Sequence, residues 1–420
     1  MKLERKGSNK QALFERKVDD EPVEDWAFEN WSDEDGVFLV KTMQSLEPVL
    51  AQELEALGGT EVQQLTRAVT CRGDLKLLYK ANYQLRTALR VLIPVHAFQA
   101  RDERQFYAGI RELDWSKYLG PNDTLAVTTV MNLSRFTNSQ YMSLLCKDAV
   151  VDQFRERFNQ RPSVNLDHPK LRIHVHIRKN RCQILLDSSG DSLHLRGYRR
   201  DQVTAPLSEV LAAGMILLSG WDGQTAFVDP MCGSGTLPIE AALIAKNKAP
   251  QFLRERFAFQ HWPGYNSALF NEVVREAKEQ ERPVTVPIIG SDKDSRARNS
   301  SAINLMTAGL EEEIEIERRP FNQLKPPAES GILITNPPYD ERLELDDSIA
   351  FYQAIGDTLK HNWSGWSAWI ISANQDALKH LGLRPSRNIK LLNGALDCAY
   401  QRFDMYSGSK KNKSSEEEAS

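Results

Sequence analysis

The second half of the sequence alternates between short apolar segments and longer amphipathic segments, with polar or glycine-containing turns between them. Because parallel strands need long crossover connections, this alternation predicts a mostly parallel, doubly wound sheet for residues 201–406. Two apolar segments near the end suit an antiparallel hairpin that closes the sheet. The fold class predicted for this region is α/β. The strands are expected at residues 226–229, 284–290, 314–317, 332–335 and 368–372, and the closing hairpin at 389–392 and 398–405.

The fourth of these strands runs directly into Asn336-Pro337-Pro338-Tyr339. Proline cannot continue a β-ladder, so the strand must end there, and the backbone that leaves the sheet is stiff. The Asn336 amide and the Pro337 carbonyl offer two acceptors for the hydrogens of an exocyclic amine. Tyr339 offers a ring for base stacking, which contributes ~1–3 kcal/mol per base. Since ligands bind at the carboxyl ends of strands in open α/β sheets, these four residues are the candidate catalytic set. A loop that only terminates a strand is the alternative.

A second candidate site lies in the turn after the first strand, where Gly233 and Gly235 precede a helix. Glycines let a ligand approach the backbone, and a helix N-terminus favours a negative group such as a carboxylate. Pro238 stands at the third glycine position of the dinucleotide fingerprint, and the turn lacks the Gly-Lys-Ser/Thr ending of a P-loop. S-adenosylmethionine, which combines a carboxylate with an adenosine, therefore fits this turn better than a dinucleotide.

Asp292 is expected at the tip of the next strand, where its carboxylate can accept hydrogen bonds from ribose hydroxyls or cap the following helix. Together with the glycine turn and Asn336, it forms a more specific constellation than any of these features alone. The candidate cofactor-binding residues are Asp229, Pro230, Cys232, Gly233, Ser234, Gly235, Thr236, Asp292 and Asn336.

Residues 37–200 alternate strand-like and helix-like segments over short distances, which predicts two small α+β modules, at 37–100 and 101–200. In the first module, residues 62–72 are expected to form a strand. Asp74 is expected to cap a helix that runs to about Leu89.

The second module carries 17 Lys+Arg against 11 Asp+Glu. This balance favours nucleic-acid contact about as much as an ordinary solvated surface. Residues 171–178 alternate apolar and polar side chains, as in a strand with one solvent-exposed face. That face would carry Arg172, His174, His176 and Arg178. Such side chains suit phosphate contacts or simple solvation, and two histidines are too few for a metal site.

Both ends of the chain are expected to lie outside the folded body. Residues 18–36 contain nine acids and no base, so residues 1–36 are predicted to form a flexible acidic extension, and the charged residues 407–420 a disordered tail. Five scattered cysteines without a Cys-x-x-Cys pair indicate a reducing, cytoplasmic location and no zinc site. No apolar run approaches the ~20 residues of a membrane span. A monomer is expected.

The motifs at both sites resemble those of the THUMP-domain class I RNA methyltransferases, and more closely those of the RlmL-type enzymes, which methylate guanine N2 in 23S ribosomal RNA. The matching segments are residues 138–141, 147–152, 193–199, 227–236, 336–343 and 393–398, within a resemblance that spans about 37–406. The resemblance implies a Rossmann-like class I methyltransferase domain at 201–406, preceded by a ferredoxin-like module at 37–100 and a THUMP RNA-binding domain with its linker at 101–200.

The resemblance also implies S-adenosyl-L-methionine as the cofactor, 23S rRNA or a large-subunit precursor particle as the partner, and no metal. The candidate RNA-binding residues are Arg172, His174, Arg178, Arg196 and Arg199. Two positions depart from the family pattern. Asp340 replaces a glycine beside the target base, and Pro320 stands where an acid commonly meets the cofactor adenine.

The leading hypothesis is methylation of a guanine N2 in 23S rRNA, with the base flipped out and stacked on Tyr339. Because the four-residue motif does not itself select the base, adenine-N6 methylation of RNA or DNA is the first alternative. The second alternative is a non-catalytic RNA-binding factor in ribosome assembly.

Overall fold

The computed structural model describes residues 35–201, 207–338 and 345–406, with the side chains of residues 345 and 346 excepted. Apart from Asp35 and Gly36, the extension predicted at 1–36 lies outside the described residues, as does the tail predicted at 407–420. Within the described ranges the chain forms two β-sheets, one of eight strands and one of seven.

Residues 36–187 form the eight-stranded sheet and the helices that pack against it. The strands are β1 (Gly36–Thr42), β2 (Thr60–Leu65), β3 (Ala68–Gly73), β4 (Ala88–Gln99), β5 (Thr124–Asn132), β6 (Ser163–Val164), β7 (Leu171–Arg178) and β8 (Arg181–Asp187). The helices are α1 (Glu47–Ala56), α2 (Leu75–Gln84), α3 (Glu103–Glu112) and α4 (Ser139–Phe158).

Strand β4 joins the two halves of this sheet, whose order is β2-β3-β1-β4-β8-β7-β5-β6. On one side β4 pairs with β1, and on the other it pairs with β8, antiparallel in both cases. The segments predicted as two α+β modules therefore contribute to one continuous sheet.

Two expectations for the first of these segments are wrong. Residues 62–72 form most of the β2–β3 hairpin, because Arg67 adopts a left-handed φ of 61° and the chain reverses there. Asp74 does cap α2, since its carboxylate accepts from the Leu77 N–H at 2.8 Å. The helix ends at Gln84, however, and the 12-residue strand β4 begins before the predicted helix end.

Residues 209–404 form the second sheet and its helices. The strands are β9 (Ala226–Asp229), β10 (Ile288–Asp292), β11 (Glu315–Arg318), β12 (Gly331–Thr335), β13 (Trp366–Ser372), β14 (Arg387–Asn393) and β15 (Leu396–Asp404). The helices are α5 (Glu209–Ser219), α6 (Thr236–Ala245), α7 (Ser267–Glu279), α8 (Ser295–Ala308), α9 (Leu345–Asn362) and α10 (Gln375–Leu378).

The strand order of the second sheet is β11-β10-β9-β12-β13-β15-β14. The first five strands are parallel, and β14 and β15 form an antiparallel hairpin beside β13. The predicted doubly wound sheet with a closing hairpin is thus confirmed. Neighbouring residues of β9 enter opposite cores, Phe227 with α5 and α6 and Val228 with α9, so both faces of the sheet are covered.

The order of the strands reverses between β9 and β12. In open α/β sheets the crevice outside such a reversal, at the carboxyl ends of the strands, is where ligands bind. Both segments that carry the candidate site residues leave the sheet at this point, because one follows β9 and the other follows β12.

A segment between α6 and β10 ties the two sheets together. Phe259 and Phe270 from this segment pack in the same core as Tyr79 of α2. Lys76 of the same helix pairs with Glu272 of α7 at 2.7 Å. This shared core fixes the first sheet against the half of the chain that carries the candidate site. Of the helices in the described residues, none is long and apolar enough to cross a membrane.

Candidate active site

The segment predicted to be catalytic begins where β12 ends. The last four residues of this strand are buried in the sheet, between β9 and β13. Asn336 then lies half-buried at the rim, Pro337 is buried and Pro338 is exposed. Tyr339 lies outside the described residues, so the predicted base-stacking position stays a prediction.

The glycine turn after β9 has the backbone shape that its sequence requires. Gly233 and Gly235 have φ values of 54° and 81°, in the left-handed region that side chains disfavour. A Cβ added to Gly235 would lie 3.2 Å from the Ser301 Cβ, so the turn is also tightly packed. Gly235 precedes α6 and has no side chain to cap it, which leaves the first N–H groups of that helix for a ligand. The other members of the turn, Pro230, Cys232, Ser234 and Thr236, are buried.

Asp229 connects the two candidate segments. Its Oδ1 accepts from the Met231 N–H at 3.2 Å and from the Thr335 hydroxyl at 2.9 Å. Thr335 is the residue before Asn336, so this carboxyl joins the start of the glycine turn to the start of the Asn336 segment. Burial raises the pKa of Asp229 to about 7, and the nearby charge of Asp292 adds to the increase.

Asp292 ends β10 beside the glycine turn. One carboxylate oxygen accepts from the Gly233 N–H at 3.1 Å, and the other accepts from the Asp294 N–H at 3.0 Å. Asp294 caps α8, so the alternative role of Asp292 as a helix cap is wrong. The Asp292 side chain is only half-buried and remains accessible for hydrogen bonds with hydroxyl groups. Pro320 follows β11 and begins a short 3₁₀ turn at Phe321–Gln323.

Three polar side chains that the sequence analysis did not single out support these segments. Thr335 holds Asp229, as described above. From α8, the Ser301 hydroxyl donates to the Gly233 carbonyl at 2.7 Å, and the Asn304 amide donates to the Ser234 carbonyl at 3.0 Å. The available sequence signal was the helical spacing of Ser301 and Asn304, which puts both polar side chains on one face of α8.

His174 does not lie on a solvent-exposed face, and its assignment to RNA binding is wrong. It is 7% exposed, and its Nε2 lies 3.2 Å from the buried Asp187 carboxylate. The short 3₁₀ helix Ala258–His261 also contacts β7, whose polar face is buried at His174, half-buried at Arg172 and His176, and exposed at Arg178. Burial lowers the pKa of His174 despite the opposing effect of Asp187.

Arg196 is also buried, at 1% exposed, and the structure contradicts its assignment to RNA binding. It donates to the Leu193 carbonyl at 2.6 Å and to the Arg86 carbonyl, and its Nε lies 3.6 Å from Glu240 of α6. Tyr198 donates to the same glutamate at 2.9 Å. These contacts connect the linker, the first sheet and α6 in the interior of the molecule.

The other three candidate RNA-binding residues have different surroundings. Arg178 is exposed at the end of β7, which is consistent with a contact to a partner. Arg172 is half-buried and donates to the Leu166 carbonyl at 3.0 Å. Arg199 is half-buried and donates to two hydroxyls of the glycine turn, and its assignment to RNA binding stays a prediction.

The donor and acceptor groups around the glycine turn fit the groups of S-adenosylmethionine. Asp292 supplies an accessible carboxylate for hydroxyls, and the N-terminus of α6 supplies N–H groups for a carboxylate. Asn336 lies at the end of the strand adjacent to β9. The described residues contain no group of three or more His, Cys, Asp and Glu side chains that could hold a metal ion.

Comparisons with known proteins agree with this architecture. The family model "RMKL-like, methyltransferase domain" matches residues 196–402, the THUMP domain matches 100–187, and the RlmL ferredoxin-like domain matches 38–92. Among solved structures, "SMU.472, a putative methyltransferase complexed with SAH" superposes with a TM-score of 0.82 at 31% identity, covering 90% of this chain and all of that one.

Two relatives show how far the similarity extends. The "Ribosomal RNA large subunit methyltransferase K/L" of Syntrophotalea carbinolica is 39% identical over 380 residues, which are 88% of this chain and 53% of that protein. The "Putative RNA methyltransferase slr0064" of Synechocystis sp. is 36% identical over 371 residues, which are 88% of this chain and 97% of that protein. The chain thus spans about half the length of the first relative and nearly all of the second.

Proposed function

The chain belongs to the RMKL-like methyltransferases that carry a THUMP domain and an RlmL ferredoxin-like domain, and we propose that it methylates N2 of a guanine in large-subunit ribosomal RNA. The cofactor is S-adenosyl-L-methionine, whose sulfonium supplies an electrophilic methyl group. The observation that carries the proposal is the pairing of β9 with β12, which brings the glycine turn and Asn336 to adjacent strand ends.

The role of the Asn336 segment follows from the chemistry of an aromatic amine. The lone pair of such a nitrogen is delocalised into the ring, so the amine is a weak nucleophile. The Asn336 amide oxygen and the Pro337 carbonyl accept its two hydrogens and favour the pyramidal nitrogen, whose lone pair is free to attack. These hydrogen bonds strengthen as the reaction proceeds, and such interactions raise the rate more than the affinity.

The role of the glycine turn is to bind and orient the cofactor. The Asp292 carboxylate accepts from ribose hydroxyls, and the N–H groups at the start of α6 donate to the carboxylate of the methionine part. The hydrogen bonds of Asp229 with the Met231 N–H and the Thr335 hydroxyl hold the glycine turn and Asn336 in a fixed position relative to each other. Because these groups lie on strand ends of a packed sheet, the site is held in place before any substrate binds.

The choice of base and RNA rests on relatedness rather than on the motif. A relative at 39% identity is named for the large-subunit ribosomal RNA, and a THUMP domain precedes the catalytic half. The test is nucleoside mass spectrometry of large-subunit rRNA from a strain that lacks the gene. The proposal expects the loss of one N2-methylguanosine, restored by the wild-type gene and by Asn388→Ala but not by Asn336→Ala.

Asn388 is a matched control because it is an exposed asparagine on β14, away from the proposed site. Loss of N6-methyladenosine in place of N2-methylguanosine would identify an adenine-directed enzyme. Unchanged nucleosides combined with a defect in subunit assembly would identify a non-catalytic assembly factor.

A further inference from the structure

Arg199 lies in the linker between the two sheets, yet its guanidinium bonds to the glycine turn. Only 16% of its side chain is exposed. Its Nη1 donates to the Ser234 hydroxyl at 3.2 Å, and its Nη2 donates to the Thr236 hydroxyl at 3.1 Å. Both hydroxyl groups belong to buried residues at the start of α6.

Two further contacts fix the guanidinium itself. Its Nε donates to the Glu209 carboxylate at 2.8 Å, and its Nη2 also donates to the Leu207 carbonyl at 2.8 Å. The Glu209 side chain is only 5% exposed, so the charges of this pair are largely shielded from water and its geometry is restrained. A planar guanidinium can reach four acceptors in different directions, which a lysine ammonium cannot do.

The direction of these hydrogen bonds constrains the hydroxyl hydrogens. A guanidinium has only donors, so the Ser234 and Thr236 oxygens must accept with a lone pair. Each hydroxyl therefore keeps its own hydrogen for another acceptor. Within the residues that the structure describes, neither hydroxyl donates to a protein acceptor. Two polarised O–H donors thus accompany the N–H groups at the start of α6.

We propose that Arg199 is a positioning residue for the cofactor, which holds the Ser234 and Thr236 hydroxyls so that their hydrogens meet the carboxylate of S-adenosylmethionine. This inference rests on the proposed role of the glycine turn as the cofactor site. It gives the linker that follows the THUMP domain a part in cofactor binding through these two hydroxyls.

The test compares two ligands that share the adenosine but differ in the amino-acid part. S-Adenosylhomocysteine carries the carboxylate, and 5′-methylthioadenosine lacks it. Isothermal titration of the full-length chain with Arg199→Met should show a loss of S-adenosylhomocysteine affinity of ~10- to 100-fold, as expected for a hydrogen-bond network that meets a charged group. The affinity for 5′-methylthioadenosine should stay within about twofold.

Further variants keep the result interpretable if Arg199→Met folds poorly. Ser234→Ala and Thr236→Val each remove a single hydroxyl, and each should weaken S-adenosylhomocysteine by ~3- to 10-fold without changing 5′-methylthioadenosine. Arg199→Lys should recover only part of the lost affinity. The matched control is Arg200→Met, since Arg200 is the neighbouring residue and is exposed.

Equal weakening of both ligands would mean that Arg199 only maintains the fold, and unchanged binding of both would mean that it has no part in the site. Either result overturns the inference. Failure of the proposed function gives a different result. If the wild-type chain methylates no RNA, but Arg199→Met still loses affinity for S-adenosylhomocysteine alone, the role of Arg199 stands.

Discussion

The carboxyl of Asp229 should make the stability of this protein depend on pH. It is completely buried, and its pKa rises from 3.8 to about 7 on folding, mainly through loss of hydration. At ~1.36 kcal/mol per pKa unit, a difference of about three units corresponds to ~4 kcal/mol. Because the folded pKa lies above the unfolded pKa, the native state binds the extra proton between these pH values. Stability therefore falls as the pH rises from about 4 to about 7.

Asp229→Asn should remove this dependence. An asparagine amide resembles the protonated carboxyl, and its oxygen can still accept from the Met231 N–H and the Thr335 hydroxyl. Above pH 7 the variant should be more stable than the wild type. Between pH 5 and pH 8 its advantage should grow by ~2–3 kcal/mol, since at pH 5 the unfolded carboxyl is already largely ionised.

Urea denaturation followed by tryptophan fluorescence at pH 5, 6.5 and 8 measures this difference. The matched control is Asp357→Asn, because Asp357 is 63% exposed on α9. If the free-energy difference between Asp229→Asn and the wild type were the same at pH 5 and pH 8, Asp229 would not be protonated in the folded protein and the reasoning would fail.

Three other substitutions test separate parts of the proposed site. Asn336→Ala should slow single-turnover methylation by ~10²- to 10³-fold while the affinities for S-adenosylhomocysteine and RNA change only a few-fold, and a near wild-type rate would reduce Asn336 to a strand terminator. Asp292→Ala should weaken S-adenosylhomocysteine by ~10-fold or more in calorimetry and leave RNA affinity unchanged. Arg178→Ala in the full chain should weaken RNA binding, measured by fluorescence anisotropy, and should make the negative slope of log affinity against log salt shallower by about one; an unchanged slope would place Arg178 outside the interface.

Much of the second sheet could be predicted because its signals are local. Gly233 and Gly235 are where the chain needs left-handed backbone, and Pro337 and Pro338 stop β12 where it leaves the sheet. Apolar strands buried on both faces mark the parallel sheet before its pairing is known. These features identified the glycine turn and the Asn336 segment from the sequence alone. The pairing of β9 with β12 in the structure places the two segments side by side.

The wrong predictions concern residues whose surroundings depend on a segment that is distant in the sequence. The alternating pattern of β7 shows which side chains share a face, but not that His174 on this face is buried beside the Asp187 carboxylate. Arg196 has the sequence surroundings of an exposed basic residue in a linker, whereas Glu240 of the catalytic half pairs with it in the interior. Strand β4 was missed because a helical pattern was extended past Gln84, although tertiary pairing with β1 and β8 sets its ends.

The central claim is that the glycine turn and Asn336 form one site that methylates a guanine amine. It is tested most directly by incubating the purified chain with S-adenosylmethionine that carries a deuterated methyl group and large-subunit rRNA from the deletion strain, followed by nucleoside mass spectrometry. We predict about one deuterated N2-methylguanosine per rRNA molecule, which disappears with Asn336→Ala and persists with Asn388→Ala. Deuterium in another nucleoside, or equal labelling by both variants, would contradict it.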